Sequence, residues 1–101
     1  MKMLTKELTE KLPRLYSQEE VEDPMVWVKF FTPWTSWTWW GCEFDPEERI
    51  FFGLVQGLET ELGNFSLDEM EAIRGPGGLK IERDLYFDPC PLSEVQRSLE
   101  R

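Results

Sequence analysis

The stretch "MVWVKFFTPWTSWTWWGCEF", Met25–Phe44, decides the fold. Met25–Phe31 is rich in β-branched and aromatic residues and reads as a strand. Thr32–Ser36, with Pro33 inside it, reads as a turn, and Trp37–Phe44 reads as the returning strand. Alternation sends Val26, Val28 and Phe30 to one face of the first strand and Trp27, Lys29 and Phe31 to the other. In the second strand Trp40, Cys42 and Phe44 share a face almost free of charge, so they are assigned to the core with Val26, Val28 and Phe30. Trp27, Phe31, Trp37 and Trp39 then stand together on the opposite face, beside Lys29 and Glu43. All five tryptophans of the chain fall between positions 27 and 40. Either they build one aromatic core, or part of the cluster is a surface that something else covers.

Working outward, Asp45–Glu48 reads as a turn and Arg49–Gly57 as a third strand. A glycine in a strand often marks a ring lying across the sheet, which suggests Trp39 or Trp37 over Gly53. Glu59–Phe65 reads as a fourth short strand or edge, and Leu79–Phe87 as a last one, with Arg83 able to pair with Glu59 or Glu61. Leu4, Leu8, Leu12 and Leu15 recur at helical spacing; Thr5 caps the helix, Pro13 ends it at Leu12, and Leu15 and Tyr16 dock from a looser turn. Ser66 with Glu69 forms a capping box for a second helix, with Leu67, Met70 and Ile73 buried and Gly75 at its C-terminal cap. Ser93 with Gln96 repeats the box, and Val95 and Leu99 mark a closing helix. The expected fold is α+β, a small and mainly antiparallel sheet of four to five strands with two to three short helices, in one domain over residues 1–101.

Twenty acidic against eleven basic residues give a net charge of -9, so phosphate backbones should repel the chain and direct nucleic-acid binding is not expected. The opening "MKMLTKELTEKL" is no signal peptide, and no apolar run is long enough to cross a bilayer, which points to a cytoplasmic protein with no membrane partner. Cys42 and Cys90 lie far apart and read as free thiols in a reducing compartment.

The chain has no histidine, which removes the commonest general base, the usual zinc ligand and the ordinary hydrolase triads. Cys90, between prolines in "DPCPL", has no basic neighbour to activate it. The glycines of "RGPGGLK" lack the lysine and hydroxyl that end a phosphate-binding loop. Glu59, Glu61, Asp68 and Glu69 are the densest carboxylates near a strand-to-helix corner, but each has a structural reading, as an edge charge or at a helix N-terminus. No metal, no cofactor and no enzymatic activity are expected.

The ordered run "VKFFTP", "WTW", "EFD", "FFGLV", "ELGNFSL", "RGPGGL", "IERDLYF" and "PLSE" resembles the bacterial domain-of-unknown-function family 2958. The resemblance spans Leu4 to Glu94; Trp40 and Cys90 depart from it, where the family pattern would place a phenol-bearing ring and a hydroxyl. It implies a bacterial origin and carriage on plasmids or other mobile elements, and it implies no activity. Aromatic anchors with acidic surroundings then suggest a protein-binding module, acting as an inhibitor of a host defence complex that itself binds nucleic acid. The expected contact residues are Trp27, Lys29, Phe31, Trp37, Trp39, Glu43, Glu59 and Glu61. The alternative is a structural or regulatory accessory of plasmid transfer or replication, an obligate oligomer burying its own tryptophans. The oligomeric state is open between monomer and homodimer.

Overall fold

Strand pairing around the tryptophan-rich hairpin sets the architecture. The computed structural model describes residues 2–100. Its strands are β1 (Met25–Val26), β2 (Val28–Phe31), β3 (Thr38–Asp45), β4 (Ile50–Gln56), β5 (Thr60–Ser66), β6 (Glu82–Arg83) and β7 (Cys90–Pro91). Five of them form an antiparallel sheet in the order β5-β4-β3-β2-β6, while β1 and β7 pair separately. Three short helices, α1 (Lys6–Lys11), α2 (Leu67–Ala72) and α3 (Leu92–Leu99), complete the α+β fold.

The first two helices start where the sequence says and end for local reasons. Thr5 Oγ1 accepts a hydrogen bond from the Leu8 amide at 3.1 Å, and Leu12 turns extended because Pro13 follows it. Ser66 Oγ accepts from the Glu69 amide at 3.2 Å, and Leu67 and Met70 of α2 are buried. Ile73 differs from expectation: it is already extended at the end of the helix and exposed. Gly75 opens a separate single turn over Pro76–Gly78 and does not cap α2. The closing helix also lacks the expected capping box. Pro91 holds its N-cap position without a side-chain bond, and Asp23 takes over from a distant loop, accepting from Ser93 N at 2.9 Å and Ser93 Oγ at 2.6 Å. The Ser93 hydroxyl, then its amide, hold the Asp23 carboxyl below the usual carboxylate range.

The sheet is buried on both faces, which overturns the division into one core face and one open face. On one side Phe51 lies at the centre of an aromatic cluster, with ring centroids 5.4 Å from Phe30, 4.5 Å from Phe44 and 5.0 Å from Phe65. Trp39, Val28, Leu67 and Met70 belong to the same cluster. On the other side Val26, Trp40, Cys42 and Leu54 pack under Leu92 and Val95 of α3. Two irregularities split the expected core set. Trp27 and Val28 both pack toward the first cluster, while Val26 peels away to pair with Cys90. The β3–β4 register then shifts between Gly41 and Glu43, a bulge that puts Cys42 and Phe44 on opposite faces.

The last expected strand shrinks to Glu82–Arg83, because Asp84 Oδ1 accepts from the Tyr86 amide at 2.9 Å and turns the chain. That strand pairs with β2, at the sheet edge opposite β5, so Arg83 does not meet Glu59 or Glu61.

Candidate protein-binding site

The expected contact residues separate into two groups, and the β4–β5 hairpin explains why. Trp37 follows a turn closed by the Thr32 amide on the Trp37 carbonyl at 3.1 Å. Its ring lies over Gly57, where an added Cβ would come within 2.4 Å of a ring carbon. The expected cover over Gly53 is not formed; there the carbonyl of Trp40 fills the space a Cβ would need. Trp34, meanwhile, lies against Gly75. Trp39 faces Val55 in the register, and Val55 faces Glu61, making one row across three strands. Trp37 and Trp39 have ring centroids 5.9 Å apart, but they differ in exposure: 38% for Trp37 and 7% for Trp39. Trp37 is therefore a surface ring resting on a core one.

At the hairpin tip the Gly57 amide donates to the Glu59 carbonyl at 2.9 Å, leaving Leu58 in solvent at 96% exposure. Trp37, Val55, Leu58, Glu59 and Glu61 border a shallow hollow of about 400 Å³. Trp37, Trp39, Glu59 and Glu61 are thus brought to one end of the sheet. Leu58 joins them, and its sequence signal is an apolar residue between Gly57 and Glu59 at the tip of a three-residue turn.

The other four lie elsewhere. Trp27 is half-buried against the core, with its indole nitrogen buried and unpartnered among the described residues. Lys29 points to the opposite face, where it pairs with Asp84 at 3.5 Å and sits 5.9 Å from the Trp40 ring centroid. Phe31 shares that face and is half-buried. Glu43 is buried, not a surface charge: the bulge turns it inward, and its carboxylate accepts from the Tyr16 amide at 2.6 Å and the Gln18 amide at 2.9 Å.

Of the acidic residues near the strand-to-helix corner, Asp68 and Glu71 are held by an arginine. Glu59 and Glu61 stand at one end of β5, and Asp68 and Glu69 lie beyond the other. Arg49 holds Asp68 and Glu71, each at 2.6 Å. Among the described residues no three of Cys, Asp and Glu converge as a metal site would require. A hollow of about 480 Å³ between the N-terminal segment and α2 has an apolar floor of Phe44, Leu67, Met70 and Ile81 under Lys2 and Lys80. Among the described residues it contains no free carboxylate, because Glu71 is bound to Arg49.

Both thiols are free. Burial pushes Cys42 up to about 12, and burial with Glu94 pushes Cys90 up, so neither is a thiolate at neutral pH. For Cys42 the sign follows from linkage. The unfolded thiol ionises near its ordinary 9.0 while the folded one resists to about 12, so stability present below pH 9.0 is lost as pH rises toward 12. Urea unfolding in reductant above pH 9.0 should lose about 1.4 kcal/mol per pH unit relative to Cys42→Ala. Parallel pH curves for the two proteins would show that burial does not hold this proton.

Among the described residues no helix is long and apolar enough to cross a membrane. Neither the curated proteins nor the solved structures compared gave a match to the chain. The profile described as "Protein of unknown function (DUF2958)" matches residues 3–98, nearly the whole length, and the chain belongs to that family.

Proposed function

We propose that the chain is a non-enzymatic protein-binding module that works through the hairpin end of its sheet. Trp37 and Leu58 are the anchors, and Glu59 and Glu61 steer them toward a basic partner surface. The single observation behind this reading is the pairing of an exposed tryptophan with a fully exposed leucine, walled by carboxylates and, among the described residues, bordered by no cation. Contiguous exposed apolar surface rimmed by polar residues marks an interaction site, and here the Trp37 and Leu58 side chains border one hollow. A net charge of -9 suits a partner whose own surface is basic because it handles nucleic acid. With the mobile-element context implied by the sequence resemblance, the role that fits is inhibition of a bacterial host defence complex.

Affinity capture from the native bacterial host tests it, comparing the natural chain with Trp37→Ala and with Glu59→Lys/Glu61→Lys. A nucleic-acid-binding defence complex should be retained by the natural chain and lost by both variants, the charge variant mainly through slower association. Retention by both variants would remove the hairpin end as the contact surface. Relaxase or replication proteins in the eluate would instead favour an accessory role in plasmid transfer.

A further inference from the structure

We propose that the outer edge of β5 is a strand-addition site, taking an extended basic segment of the partner polypeptide as a sixth strand of the sheet. This rests on the protein-binding reading and deepens it.

The backbone carries the first step. β5 ends the sheet, and its register with β4 is unbroken from Thr60 to Ser66. Two hydrogen bonds bracket that pairing, Gly57 N to Glu59 O and Leu67 N to Arg49 O, both 2.9 Å. An antiparallel ladder alternates, so Glu59, Glu61, Gly63, Phe65 and Leu67 turn their amides and carbonyls toward β4. Thr60, Leu62 and Asn64 turn theirs away from the sheet. No other part of the described chain bonds those backbone groups. Edges are normally blunted by proline, charged side chains, a bulge or a covering element; "TELGNFS" has no proline and no bulge, and Glu61 is its one charge.

The side chains decide the occupant. Three hollows border this edge: the one at Trp37 and Leu58, one of about 480 Å³ at Leu62 and Leu99, and one of about 360 Å³ at Tyr16 and Val21. The first lies on the Trp39 face of the sheet, and Leu62 stands on the other. Successive side chains of an added strand alternate between faces and would reach both sides. Glu19, Glu22, Glu59, Glu61 and Glu100 stand around the three hollows, and among the described residues no lysine or arginine lines any of them. A second copy of the chain would bring the same carboxylates and another net charge of -9 to the edge. A segment with lysine or arginine among apolar residues meets complementary charge and open hydrogen-bonding groups at once.

The test uses a capped peptide of about ten residues alternating lysine and valine, with a glutamate–valine counterpart, and reads amide hydrogen exchange by NMR. With the basic peptide, exchange at Thr60, Leu62 and Asn64 should slow at least about fivefold, while Glu61 and Gly63, already bonded to β4, change little. Leu62→Pro removes one outward donor without breaking a β4 bond and should abolish the effect; Leu62→Ala should retain it. No slowing at the three amides, or equal slowing with the acidic peptide, overturns the proposal. Slowing that follows protein concentration alone makes the occupant a second copy and overturns it equally. Capture of the host partner separates the two readings. If Leu62→Pro keeps the partner and Trp37→Ala loses it, the edge proposal falls and the hairpin surface stands. If both variants keep it, the hairpin surface falls as well.

Discussion

Replacing Trp39 with alanine should cost about 3–5 kcal/mol of folding stability, whereas the same change at Trp37, two residues earlier, should cost only about 1–2 kcal/mol. Trp39 is 7% exposed and directly opposite Phe30, inside the cluster that holds Phe44, Phe51 and Phe65. Removing its ring opens a cavity that rigid strands on both sides of β3 cannot close. Against a typical total of about 5–15 kcal/mol, such a loss leaves a marginal domain. Trp37 rests on Gly57 with much of its ring in water, so its removal exposes glycine backbone and forfeits only part of an aromatic burial. Urea midpoints of the two variants give the comparison. Equal losses would mean that Trp37 is a core residue too, and the surface on which the proposed function rests would no longer be available.

That contrast also answers why the tryptophans crowd into one hairpin. Trp39 and Trp40 serve opposite faces of a sheet buried on both sides, Trp37 and Trp34 cover glycines, and Trp27 fills the edge of the first cluster. Only the Trp37 ring retains a large open face.

Local signals were readable: the Met25–Phe44 hairpin, the third and fourth strands, and the caps at Thr5 and Ser66 depend on neighbours within a few residues. Strict alternation failed at Trp27 and at the Gly41/Glu43 bulge, because one irregular residue reverses every later assignment and no residue type marks it. That is why Trp39 and Phe44 moved and Glu43 turned inward. Asp23 could not be identified as the cap of α3, since the bond spans seventy positions and the Ser93–Gln96 spacing imitates a local box. Strand order is equally hidden in the sequence, which puts Arg83 within reach of Glu59 and Glu61 although they lie at opposite edges of the sheet. At the candidate site, Trp37, Glu59 and Glu61 are within reach of the sequence because two successive hairpins, β3–β4 and β4–β5, bring them together. The free backbone of Thr60, Leu62 and Asn64 is not, because it follows from pairing parity and from β5 being last in the sheet.

Glu43 carries the other large expected effect. Its carboxylate is 3% exposed, and no lysine or arginine lies within ion-pair distance among the described residues. The amides of Tyr16 and Gln18 supply its hydrogen bonds. Tyr16 holds φ at 68°, a left-handed conformation that costs a residue of this kind about 1 kcal/mol, and it is retained because Glu43 gathers the turn around it. The neighbouring Phe44 amide completes the attachment by donating to the Pro13 carbonyl at 2.9 Å. Glu43→Ala leaves two backbone donors without their acceptor and should cost about 2–4 kcal/mol; Glu43→Gln keeps the shape and one acceptor and should cost about half as much. Exchange at the Tyr16 and Gln18 amides should become fast while Phe51 and Leu54 in β4 stay protected, because the turn is released before the sheet opens. An unchanged urea midpoint for Glu43→Ala would show that the turn holds itself. Tyr16 and Val21 wall the hollow beside Leu62, so loosening this turn should also weaken any strand added at β5, without touching a residue of that edge.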